Sequence, residues 1–140
     1  MNREQTTAWV LTLAGLIPFA GCAIGLALNT GLDQLFIDLL SVYAAIIVSF
    51  LGGARWGAEH ARGTPRRRSM VASNLLPVAA WLTFFLPASL DRFQLLLLAG
   101  CILASWGWDM LEEPAWYRSL RSMATAGAVS CLALAAGWTV

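Results

Sequence analysis

The chain has 140 residues, of which 59% are hydrophobic and 12% charged, with a formal net charge of +1 and a mean hydropathy of +0.67. A water-soluble domain of this length could not hide so much apolar surface, so a soluble globular fold is excluded. The arginines collar apolar runs instead of alternating with base-stacking aromatics, which leaves no surface suited to nucleic acid.

Five apolar segments follow one another along the chain, at about 8–28, 36–58, 70–88, 93–110 and 123–140. Each reaches or approaches the roughly 20 residues that a spanning helix needs. The runs lack strand-like alternation, and backbone groups in lipid must be satisfied within a helix or a closed barrel. The expected fold is an all-α integral membrane protein, a bundle of five transmembrane helices forming a single domain over residues 1–140.

The first span is longer than the apolar region of a secretory signal and no clean small-residue cleavage site follows it, so it reads as a retained helix. Pro18 removes a backbone donor near its middle and favours a kink. Gly21 and Gly25 then offer a close-packing face to a neighbouring helix. Asn29-Thr30-Gly31 reads as a helix stop before a short loop.

The second span carries Tyr43 and Ser49, then Gly52-Gly53, which again read as helix-packing residues, and ends in Ala54-Arg55-Trp56-Gly57-Ala58-Glu59-His60. The loop from Arg62 to Ser69, with Gly63, Pro65 and three successive arginines, reads as flexible and solvent-facing, with Arg66, Arg67 and Arg68 suited to anionic lipid. In the third span Trp81 is expected deeper than the other tryptophans, in the bundle core or donating to a buried acceptor. A four-residue turn, Ser89–Arg92, makes the third and fourth spans antiparallel neighbours. The fourth ends in Ser105-Trp106-Gly107-Trp108-Asp109, and an amphipathic connector containing Glu112, Pro114, Trp116, Tyr117 and Arg118 leads to the fifth.

All nine basic residues are Arg, and their placement sets an expected orientation. Arg3, Arg55, Arg62, Arg66, Arg67, Arg68, Arg118 and Arg121 fall on one side and Arg92 alone on the other, with Asp33, Asp38 and Asp91. The positive-inside rule then puts the N-terminus in the cytoplasm and the C-terminus in the periplasm of a bacterial inner membrane, with several passes.

Ionisable groups inside apolar spans mark candidate sites. Arg55, Glu59 and Arg62 recur at helical spacing on one stripe. Arg55 either snorkels to the headgroups with Glu59 as an accessory pair, or meets Asp109, which lies at similar depth on a parallel span. Trp56, Trp116, Tyr117, Arg118 and Arg121 complete a candidate cytoplasmic-side binding cluster with Arg55, Glu59 and Asp109; the plain alternative is an aromatic and basic interface belt. His60 is the only histidine, and Cys22, Cys101 and Cys131 lie in separate spans, so no metal-site or haem spacing is present and no cofactor is expected. The serines have no partner at a catalytic spacing, so no catalytic residue is assigned.

Gly15-Leu16-Ile17-Pro18-Phe19, Tyr43 with Ser49-Phe50-Leu51-Gly52-Gly53-x-x-Trp56-Gly57, Pro77 with Trp81, Asp109, and Pro114-x-Trp116-Tyr117-x-x-Leu120-Arg121 together resemble the domain of unknown function 3429, a family of bacterial proteins related to transmembrane protein 69. The resemblance covers nearly the whole chain and is most specific in the second span. It implies a small multi-span inner-membrane protein and brings no activity, cofactor or catalytic residue. A non-enzymatic protein that binds lipid or a membrane partner, forms a homo-oligomer or supports assembly of a complex is the leading expectation. The alternatives are a small transporter or proton or ion conductor, and an enzyme acting on a lipid or quinone headgroup at the cytoplasmic interface.

Overall fold

The computed structural model describes residues 2–139. It contains five α-helices, α1 (Arg3–Ala27), α2 (Asp33–Ala61), α3 (Arg67–Leu82), α4 (Asp91–Glu112) and α5 (Ala115–Trp138), and no strand among the described residues. Four helical stretches are long and apolar enough to cross a membrane: α1, α2, α5, and α4 together with the 3-10 turn Ala88–Leu90 that leads into it. The exception is α3, whose 16 residues rise about 24 Å against a hydrocarbon core of about 30 Å. A 3-10 turn, Thr83–Phe85, prolongs it before Leu86 adopts an extended conformation ahead of Pro87. The apolar run to residue 88 therefore continues past the end of the helix.

Helices α1, α2, α4 and α5 pack as a closed ring of four, and α3 lies outside it, mainly against α2 with a lighter contact to α4. Inside the ring, Leu40, Leu95, Leu98 and Leu132 are fully buried and fill the interior toward the end where α2 and α4 begin and α5 finishes. The outer surface of the ring remains apolar, as at Leu11, Ile17, Ile46 and Leu97, which is the distribution expected when lipid is the solvent. α1 stops at a left-handed Asn29 (φ 52°), a conformation Asn tolerates better than most side chains.

The α1–α2 hairpin is closed by two contacts. A Cβ on Gly25 would come within 2.6 Å of the Phe36 ring, so only glycine admits that ring. Nearer the middle, Tyr43 donates a 2.8 Å hydrogen bond to the Gly15 carbonyl, next to the Ala14 carbonyl whose helical donor Pro18 lacks, and its ring meets Phe19 edge-on. Gly52 provides the equivalent approach for α3: a Cβ there would sit 2.4 Å from the Ser73 carbonyl oxygen and 2.9 Å from Pro77. Gly21 and Gly53 face open space, so two of the four expected packing glycines stand at a helix contact and two do not.

Trp81 departs from its expected place in the core. It lies in the last turn of α3, exposed, with its ring edge-on to Phe85. The seating of Ser73 and Pro77 on Gly52 sets Trp81 near the mid-depth of α2, so its depth is as expected and the difference is its face, which α3 turns outward.

Candidate binding site at the arginine-rich end

The N-termini of α1, α3 and α5 and the C-termini of α2 and α4 gather at one end of the bundle, and two charged clusters form there. In the first, Arg55 of α2 pairs with Asp109 Oδ1 of α4 and also donates to the Ser105 carbonyl at 3.2 Å. Asp109 Oδ2 accepts a 2.7 Å hydrogen bond from Arg121 Nε of α5. One carboxylate thus ties three helices, with side-chain exposures of 10%, 13% and 9% for Arg55, Asp109 and Arg121. The Arg55 guanidinium also lies 5.3 Å from the centre of the Trp108 ring, a cation–π distance.

The second cluster is centred on Glu59. The backbone N–H of Arg66 donates to Glu59 Oε2 at 2.9 Å, and the Arg66 guanidinium bridges Glu59 Oε1 at 2.5 Å and Glu112 Oε2 at 2.7 Å. Arg62 adds a looser contact to Glu59 at 3.6 Å. Arg66 immediately precedes α3, so Glu59 fixes the start of that helix as well as closing the loop. Hydrogen bonds to Glu59 and then Glu112 raise the Arg66 pKa above its ordinary value.

These contacts correct two sequence expectations. Glu59 is buried and belongs to Arg66, not to Arg55, because Asp109 and Ser105 take the Arg55 guanidinium while the returning chain brings Arg66 onto Glu59. The segment before Ser69 faces solvent as expected, residues 62–68 all being exposed, but it is not a free loop: Arg66 is held by two carboxylates and the helix starts at Arg67.

Of the other candidate residues, Trp56 is exposed and stacks on His60 with ring centres 3.9 Å apart, and the His60 ring lies 3.0 Å from the Trp56 carbonyl. Trp116 is exposed and edge-on to Tyr117, and Arg118 is exposed. Three of the eight candidates therefore face outward, while Arg55, Asp109 and Arg121 converge and Tyr117 turns toward a cavity beside them.

That cavity, about 340 Å³, lies within the four-helix ring at its arginine-rich end. Its wall is mostly apolar, with Leu16 and Phe19 from α1, Ile47 from α2, Ile102 from α4 and Ala128 from α5. Exposed Leu11 and Phe50 also line it, so it opens sideways between α1 and α2, on the far side of the Tyr43–Gly15 bond from the Gly25–Phe36 contact. Its polar groups include Tyr117, Arg121 and Thr125. Sequence reasoning missed this cavity, because it depends on α5 starting at Ala115; the helical spacing of Tyr117, Arg121 and Thr125 on one face was the available signal.

An all-helical bundle with four membrane-length stretches, tied at one end by a shared carboxylate, defines a small multi-pass membrane protein. The family described as protein of unknown function (DUF3429) matches residues 4–137, and the chain belongs to that family. It is 32% identical over 132 residues to transmembrane protein 69 of Xenopus tropicalis, a match covering 89% of this chain and 51% of that protein. It is 27% identical over 123 residues to transmembrane protein 69 of Mus musculus, covering 84% of this chain and 50% of that protein. The chain thus spans about half the length of these curated relatives. No solved structure matches it.

Proposed function

We propose that the protein is a non-enzymatic binder of a membrane amphiphile, which enters the bundle between α1 and α2. The observation that carries this reading is the side-opening cavity, whose apolar wall and 340 Å³ volume fall in the range of small-molecule sites. A mouth between two lipid-facing helices admits a ligand already dissolved in the bilayer. The interior of the ring beyond it is filled by leucine, which favours binding over passage through the bundle.

The test is retention of lipid by protein extracted in mild detergent and weighed by native mass spectrometry. The wild-type chain should carry an adduct of lipid mass, and Ala124→Phe, which fills the cavity wall, should lose it while eluting as the same folded species. Equal retention by the two proteins would refute the reading.

The eight-to-one division of arginines supports a bacterial inner-membrane location with the arginine-rich end in the cytoplasm. In a background lacking Cys22, Cys101 and Cys131, a membrane-impermeant maleimide added to spheroplasts should label Asn29→Cys and spare Arg67→Cys. The reverse pattern would invert the orientation.

A further inference from the structure

The polar end of the cavity is incomplete in a way that specifies the ligand's head. Arg121 and Thr125 are one helical turn apart on α5, both more than nine-tenths buried, and both line the cavity. Each carries a buried polar atom without a hydrogen-bond partner: Nη2 of Arg121 and Oγ1 of Thr125. Both can donate, and buried donors are ordinarily paired.

Charge points the same way. Arg55 and Arg121 share the single carboxylate of Asp109, so these three side chains together carry one net positive charge. Of the other acids at this end, Glu59 and Glu112 are engaged with Arg66 and Arg62, while Glu113 lies within electrostatic reach of Tyr117 but forms no ion pair with Arg55 or Arg121. Two guanidinium groups on one carboxylate, with Arg121 Nη2 unpaired, favour an anion in the open space beside them.

We propose, resting on the amphiphile reading above, that the ligand is a single-chain lipid with an oxyanion head, a carboxylate or phosphate. The head accepts from Arg121 and Thr125. The tail lies along the cleft from Ala8 toward Phe19, a rise of about 16 Å on α1, and leaves past Leu11 and Phe50. Recognition by a guanidinium and a hydroxyl suits oxygens carrying full charge and discriminates against neutral alcohols.

The experiment is equilibrium dialysis of the full chain in phosphatidylcholine nanodiscs against radiolabelled dodecyl phosphate, dodecanoate and dodecanol, with inorganic phosphate as competitor. The two anionic amphiphiles should bind at least tenfold more tightly than the alcohol, and inorganic phosphate should not displace them. Thr125→Val removes a hydroxyl that has no hydrogen-bond partner within the protein, so it should leave thermal stability intact and reduce the preference for the anions several-fold.

Equal binding of anion and alcohol would overturn the head assignment and leave the amphiphile reading standing. Displacement by inorganic phosphate would show an ion site that ignores the tail, and would overturn the proposal. An undiminished anion preference in folded Thr125→Val would remove Thr125 from the head contact and overturn the proposal as stated. Binding of none of the three would defeat both readings.

Discussion

Asp109→Asn is expected to lower the apparent Tm of the purified protein more than any other single polar substitution at the arginine-rich end. The change removes the one anion that Arg55 and Arg121 share and leaves two guanidinium groups facing each other with little exposure. Breaking a buried pair by deleting one partner costs about 3 kcal/mol or more, chiefly because the remaining charge is stranded. The decisive measurement is a double-mutant cycle. Arg55→Gln should destabilise the wild-type protein, yet cost much less, or even restore stability, in the Asp109→Asn background. Additive losses in that cycle would show that the two groups do not depend on each other.

The second large effect is expected at Gly52, where the adjacent glycine supplies an internal control. Gly52→Ala places a methyl group 2.4 Å from the Ser73 carbonyl oxygen and 2.9 Å from the Pro77 ring, so α3 must move away from α2. Overpacking of this kind costs about 2 kcal/mol, and the obstacle here is backbone, which yields less readily than a side-chain tip. Gly53→Ala meets open space within a helix and should be neutral or stabilising by about 0.5 kcal/mol. Thermal unfolding in the same detergent compares the two variants. Equal behaviour would mean that α3 is not seated on Gly52.

Four of the five expected spans were legible in the sequence because hydropathy reports contact with lipid directly; at α3 the apolar run outlasts the helix. Helix ends were less so, since a helix can run beyond the apolar stretch into polar turns. α1 begins at Arg3 and α2 continues to Ala61, both outside the hydrophobic runs. The largest difference is at α5, which starts at Ala115, directly after Pro114, where a connector was expected as far as residue 122. Pro114 was the available sign, because proline is well placed just before or within the first turn of a helix.

This displaced start explains why the candidate site was only partly visible. Similar depth on parallel helices linked Arg55 with Asp109, but Arg121 could join them only once its segment was helical and turned inward. Of the two readings of Arg55, the one that pairs it with Glu59 fails and the one that pairs it with Asp109 holds; the Arg66 partner of Glu59 was out of reach because helical spacing describes neighbours on one helix and says nothing of a chain that folds back upon itself. The outward placement of Trp56, Trp116 and Arg118 follows from rotation about each helix axis, which amphipathicity fixes weakly when most of the surrounding solvent is hydrocarbon.

The three-helix tie at Asp109 also has a consequence for biosynthesis. Arg55 and Asp109 are 54 residues apart, so at a synthesis rate of 5–20 residues per second the arginine precedes its partner by roughly 3–10 s. Through that interval α2 carries an uncompensated cation at the edge of the bilayer, and the three-helix tie is complete only when α5, made after α4, delivers Arg121. The bundle therefore locks on the arrival of α5, and a nascent chain stalled before Arg121 has every earlier helix but lacks the contact that joins α5 to Asp109.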